Sequence, residues 1–316
     1  MRNAAAGAGP TAPKSAENEG VRLGTHEMRS ERRPARATTA QRLWRSRRVV
    51  FGGTVLLIIC LAAIFANQIA PAGPEMVSMN DRLVAPTWFS HGWKFCLGAD
   101  PLGRDVLSRI IFGARISLLI GVTAVGLSGT VGILLGLLAG YYGGKVDETI
   151  MRLADIQLAI PTILLAIALV GVMGPNLRNL IVVLGITGWV IYARTIRGVV
   201  LSVRAMQFVE AATALGAGDR RTLLGHILPN LWTPAIVIAS QQVGFMIIME
   251  SALSFLGLGV QPPTPTWGGM IADGRGYLVT AWHVTTMPGL VLMTTVLAVN
   301  FFGDGLRDVL DPKFRL

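Results

Sequence analysis

Charge is what this 316-residue chain has least of: 15% of it is Asp, Glu, Lys or Arg, against 52% hydrophobic residues. Soluble domains carry about 25% charged residues. The shortage, with a mean hydropathy of +0.55, excludes an ordinary soluble globule and predicts a polytopic membrane protein. Cysteine is scarce as well. Cys60 falls in a predicted span and Cys96 in a loop, a placement that excludes a disulfide framework. The four histidines, His26, His91, His226 and His283, stand on different predicted segments without metal-ligand spacing, so no metal site is expected. A Gly-x4-Gly-Lys-Ser/Thr phosphate loop is missing, so the chain is not expected to hydrolyse ATP. No nucleophile–base pair stands out either, which argues against an enzyme.

The charge that is present is unevenly placed. A net +10 would suggest nucleic acid in a soluble protein. Here residues 1–48 hold eleven Lys/Arg and four Asp/Glu, and they abut the first apolar run. Such a tail suits anionic lipid, and no nucleic-acid partner is expected. Residues 1–40 are rich in Ala, Gly, Pro, Arg and Glu and are expected to be a disordered basic tail. Residues 41–316 form the membrane domain. The first apolar run begins near Val49, too late and too long for a signal peptide.

A spanning helix needs about 20 apolar residues. Six segments qualify: 49–70, 116–141, 156–172, 177–196, 231–255 and 284–302. The expected fold is therefore all-α, a bundle of about six transmembrane helices. With the N-terminus inside, 21 of the 28 Lys/Arg fall on inner segments. This bias predicts both termini in the cytoplasm of a multi-pass plasma (inner) membrane protein. Glycine recurs in the second span, where Gly132, Gly136 and Gly140 make consecutive small-xxx-small units for close helix approach.

That orientation puts loop 204–229 inside. Phe208, Ala211, Ala212 and Leu215 recur at i, i+3, i+4 and i+7, one face of a helix, with Glu210 off that face. Gly216 and Gly218 end it. Asp219 is the expected N-cap of a second helix with its own stripe of Leu223, Leu224, Ile227 and Leu228. On spacing alone this is either an amphipathic hairpin lying on lipid or a module that touches a soluble partner.

The string Glu210-Ala211-Ala212-x3-Gly216-x9-His226-Ile227-Leu228-Pro229 resembles the EAA loop of ABC importer permeases. That pattern generally has Ile where His226 stands. The His-Ile-Leu-Pro-Asn variant, completed here by Asn230, is similar to the peptide-importer branch. Other segments resemble the same branch: Gly98 to Arg109, Gly113 to Ser117, Met151 to Gln157, Tyr192 to Arg197, Glu250 to Gly259, Pro262 to Gly268 and Gly303 to Pro312. Together they cover about residues 40–316 and point to the C-type permease subunit of dipeptide/oligopeptide importers, a group that includes nickel importers. The resemblance implies a type I importer permease fold with its core at 112–303 and a coupling loop at 204–229. It also implies a homologous second permease, cytoplasmic ATPase subunits holding ATP and Mg, and an extracellular substrate-binding protein. Glu210, Ala211, Ala212, Leu215, Gly216, Ala217, Arg220 and Arg221 would make the ATPase contact, though the two arginines could equally rest in solvent. A nickel or metal-chelate permease, or a self-sufficient secondary transporter, is the alternative.

Toward the outside, Asp100-Pro101 reads as an N-cap with proline at the first helical position, and Leu102, Val106 and Ile110 predict a short amphipathic helix. The Gly/Pro-rich loop 257–283 carries Trp267, Asp273 and Arg275, which either meet the binding protein or pack over the bundle. Polar groups inside spans are costly and need a reason. Glu250, Gln241, Gln242 and Asn300 are candidates for lining the pathway or for pairing helices.

Overall fold

Apolar runs this long must satisfy their backbone groups internally, and in lipid the open solution is the helix. The structure is a computed structural model and describes residues 46–88 and 92–310; the basic tail lies outside them. Its described residues contain helices and no strand: α1 Arg47–Ile64, α2 Val106–Tyr142, α3 Gly144–Leu158, α4 Thr162–Met173, α5 Leu177–Arg204, α6 Gln207–Ala214, α7 Asp219–Phe255, α8 Trp267–Gly274 and α9 His283–Leu310. Helices α1, α2, α5, α7 and α9 are long and apolar enough to cross a membrane. Contacts define two ends of the bundle. The start of α2 meets α8 at one end, and the C-termini of α2 and α5 meet the segment around α6 at the other.

The expected third span, 156–172, is present as a broken pair of helices rather than one continuous helix. Its helix stops at Leu158 and restarts at Thr162, and the pair α3–α4 is bent by 89°. Pro161 supplies the cause, because it has no N–H to continue the ladder and pushes its predecessor out of the helical region. At 12 residues, α4 reaches about 18 Å at 1.5 Å per residue, less than the hydrocarbon thickness. The bend is pinned to α5. Trp189 Nε1 donates to Gln157 Oε1 at 2.8 Å, and Gln157 Nε2 donates to the Thr187 carbonyl at 2.9 Å. Arg194 pairs with Asp155 and Arg197 with Asp147 along the same face.

The tightest seam joins α2 to α5. A Cβ added to Gly132 would lie 2.4 Å from the Trp189 carbonyl oxygen, one on Gly136 2.6 Å from that of Ala193, and one on Gly140 2.7 Å from Val200 Cβ. The expected small-residue units therefore face the α5 backbone itself. A core of Ile120, Ala124, Leu180, Leu184, Tyr192, Met246 and Leu253 continues this seam toward α7.

Helix α1 is held to the bundle by fewer bonds. Arg115 of α2 donates to the carbonyls of Ala63 and Ile64, capping the C-terminal acceptors that the end of α1 leaves open. Toward the other end, Gly52 of α1 packs directly against the Ala298 carbonyl of α9.

The expected short helix at Asp100-Pro101 does not form. Asp100 instead accepts from the amides of Leu102 and Arg104 at 2.8 and 2.9 Å, closing a turn that contains Gly103 at φ +71°. Asp105 caps α2, accepting from Ser108 N at 2.7 Å. The Asp100 carboxylate is also drawn to two arginines described below, which leaves it no role as a cap.

The seam generates a graded prediction. Gly132→Leu should destabilise the bundle by about 1–3 kcal/mol or more, because the neighbour is backbone and cannot yield. Gly126→Leu, with nothing within 4 Å of its Cβ position, should leave thermal unfolding in detergent nearly unchanged. Equal unfolding midpoints for the two variants would refute the seam.

Candidate functional site

Loop 204–229 is built outward from a small core. Val209 of α6 is buried with Leu137 of α2, Ile196, Val200 and Val203 of α5, and Leu223, Ile227 and Leu231 of α7. One side chain of α6 thus enters the bundle. The stripe predicted as its apolar face is the one left outside: Phe208 is 46% exposed and Leu215 89%. Glu210 and Ala211 are exposed beside them, and Ala212 and Ala217 are half-buried.

The end of α6 is set by Gly216, whose φ is +86°. Gly216 N donates to the Thr213 carbonyl at 2.9 Å and Ala217 N to that of Ala212 at 3.0 Å, the paired bonds of a Schellman turn. No atom crowds Gly216, so its requirement is conformational. Leu215 and Gly216 form the corner beyond which the chain enters α7. That helix opens through a π-helical segment, Thr222–Ile227; such segments occur frequently at functional sites.

Asp219 does not cap this helix. Gly218 holds the N-cap position, and the Asp219 carboxylate accepts from Tyr141 Oη at 2.8 Å. Tyr141 lies in the last turn of α2, and its carbonyl accepts from Arg204 Nη1 at 2.7 Å, while that guanidinium lies 5.7 Å from the Tyr141 ring centroid. The end of α2, the end of α5 and the start of α7 are thereby knotted on one tyrosine. The His226 ring stacks edge-on against Phe208 at 6.4 Å, and its carbonyl accepts from Asn230 Nδ2 at 2.7 Å. This contact fastens α6 to α7. Arg220 and Arg221 are exposed and make no ion pair among the described residues.

The polar span residues are dispersed. Gln241 donates to Asp304 at 3.3 Å, and Asn300 lies against α7 at Gly244. Gln242 is buried. Glu250, 0% exposed, accepts from the hydroxyls of Ser254 at 2.7 Å and Ser251 at 3.3 Å. The Gln241 bond joins α7 to α9, whereas both Glu250 bonds stay within α7.

At the α8 end, Asp100 accepts from Arg104 Nε at 2.6 Å and from Arg109, and all three side chains are buried. Asp273 stands 3.6 and 3.5 Å from the same two guanidinium groups. Sequence reasoning singled out neither Arg104 nor Arg109. Their signal was charge density, four charged residues within ten positions of a chain that has few. Trp267 does not reach the surface as a binding-protein contact would require. It is fully buried, with its indole N–H donating to the Ile110 carbonyl at 3.1 Å, and it wedges α8 against α2. Asp273 and Arg275 remain exposed.

Residues 132–316 match the family profile described as binding-protein-dependent transport system inner membrane component, and residues 37–86 match the N-terminal TM domain of oligopeptide transport permease C. The chain belongs to this family of inner membrane transport components. It is a membrane-embedded ABC importer permease subunit. The permease is 46% identical to the di/tripeptide transport system permease protein of Pseudomonas aeruginosa, over 82% of this chain and 86% of that protein. It is 42% identical to the glutathione transport system permease protein of Pectobacterium atrosepticum, over 87% and 90%. The dipeptide transport system permease protein of Haemophilus influenzae is 40% identical, over 88% and 96%. The fold is shared with the inward-facing MetNI methionine ABC transporter, at a TM-score of 0.53 and 19% identity, over 64% of this permease and 97% of that chain.

Gly216→Leu should cost the permease about 1–2 kcal/mol locally, the price of a left-handed residue with a side chain. Faster hydrogen exchange confined to 207–221 is expected in the variant. Unchanged exchange there would show that the turn does not need glycine.

Proposed function

We propose that the chain is the permease half-pathway for short peptides, coupled through Glu210 to Arg221 to a separate cytoplasmic ATPase. The observation that carries this reading is the stripe from Phe208 to Leu215, which Val209 anchors to the bundle yet which stays largely exposed. Exposed Leu215 and Phe208 are costly in water and gain by burial against a protein partner. Glu210 beside them offers one charge-assisted bond to that partner, and Ala211 and Ala212 let a groove approach closely. Arg220 and Arg221 offer charge to acidic groups at the rim.

On this reading the α6 end and both termini are cytoplasmic, in accord with the basic excess there. The α8 end faces a substrate-binding protein, and a homologous second permease completes the pathway. ATP and Mg belong to the ATPase chains, and this chain carries no hydrolytic site of its own. Short peptides are the proposed cargo because the relatives named above carry di- and tripeptides or glutathione.

Reconstituted with its partners, the transporter should take up a labelled dipeptide in an ATP-dependent manner. Glu210→Lys should reduce uptake at least tenfold and weaken ATPase co-purification, while insertion and the unfolding midpoint stay unchanged. Full uptake by that variant would reject the coupling assignment.

A further inference from the structure

The α8 end holds a cavity of about 290 Å³ lined by Arg109, Gln261, Thr264, Thr266, Asp273 and Arg275 among others. Three features of its wall favour an anion. Arg109 is 4% exposed, and its Nε has no hydrogen-bond partner. An unmet donor on a buried guanidinium is costly and calls for an acceptor. The first turn of α8, eight residues long and capped by Thr266 accepting from Gly269 N at 3.0 Å, opens on the same cavity through Thr266 and Gly269. Its dipole adds positive potential there. Arg275, at the rim, has a phenylalanine ring 5.7 Å away and no carboxylate partner among the described residues.

The negative groups nearby leave room for another. Asp100 is spent on Arg104, Arg109 and two backbone amides. Glu250 stands behind the wall and takes the Ser254 hydroxyl. Asp273 lies at ion-pair distance, 3.5 Å from Arg109, but makes no hydrogen bond to it. A protein carboxylate thus hovers at the site without closing it, a geometry that an entering carboxylate can better.

We propose that this cavity is a carboxylate-binding site on the outer face of the permease, with Arg109 and Arg275 as its cationic groups. The carboxylate comes either from the free C-terminus of a short peptide or from an acidic side chain of the binding protein. The inference rests on the peptide-importer reading given above.

The test uses the assembled transporter in lipid nanodiscs. Alanyl-alanine and its C-terminal amide are titrated by calorimetry without the binding protein, and docking of the binding protein is measured separately. For the peptide source, the acid should bind about tenfold more tightly than the amide, the scale of one charge-assisted bond. Arg275→Gln should erase that preference and Arg275→Lys restore most of it. For the binding-protein source, the free dipeptide does not bind, and docking weakens about tenfold in both Arg275→Gln and Arg109→Lys. A mere rim contact would respond to the first substitution alone. Acid and amide binding alike, together with docking indifferent to either arginine, overturns the site. Dipeptide uptake by the wild-type transporter is scored independently. Uptake without any arginine dependence removes the site and leaves the peptide reading intact, whereas a selective site without peptide uptake does the reverse.

Discussion

Everything at the two ends of this bundle depends on how closely α2 lies against α5. In lipid no hydrophobic force drives helices together, so packing and backbone approach must do so. Gly132, Gly136 and Gly140 supply that approach by leaving the α5 backbone no side chain to meet. Helix α2 then becomes a fixed rod of 37 residues. Arg109 sits near its first turn and Tyr141 near its last. The ionic cluster at the α8 end and the Tyr141–Asp219–Arg204 knot are thus mounted on one helix. One packed element therefore joins the two ends, the kind of contiguous contact that coupling between distant sites uses.

The loop illustrates how an amphipathic pattern can mislead about direction while being right about the helix. The stripe Phe208, Ala211, Ala212 and Leu215 is a true helical face. In a single-chain globule that face would turn inward. Here the inward contact is made by Val209, one position off the stripe, because the adjoining pocket between α5 and α7 is lined by Ile196, Val200, Val203, Leu223 and Ile227 and receives a single branched side chain. The apolar stripe is left for an outside surface. Spacing could not decide this, because both outcomes bury one apolar side of the same helix.

Much of the membrane architecture was legible because one physical rule controls it. Five long apolar runs became five long helices, and the glycine units landed on the helix interface they imply. What was not legible involved competition between local and distant partners. Asp100 and Asp219 both carry strong local signals for capping. Each was drawn away by a partner far along the chain or across a turn, Arg109 for the first and Tyr141 for the second. Trp267 had the profile of an exposed loop aromatic, yet its indole N–H found the Ile110 carbonyl 157 positions away. Pro161 was visible as a breaker, but the 89° turn it permits depends on Gln157 gripping Trp189 and Thr187 across the gap.

The bent pair α3–α4 and the π-helical opening of α7 are the two places where regular helix is given up. Both interruptions neighbour α5: α3 through Gln157 with Trp189 and Thr187, and the π segment through the core around Val200 and Val203. Interrupted ladders concentrate compliance, because freed backbone groups can exchange partners without breaking a whole helix. The glycine seam gives α2 and α5 no such slack, so irregular backbone stands directly beside the most closely packed pair. The seam packs α2 against the α5 backbone, and the bend and the π turn lie at its edges.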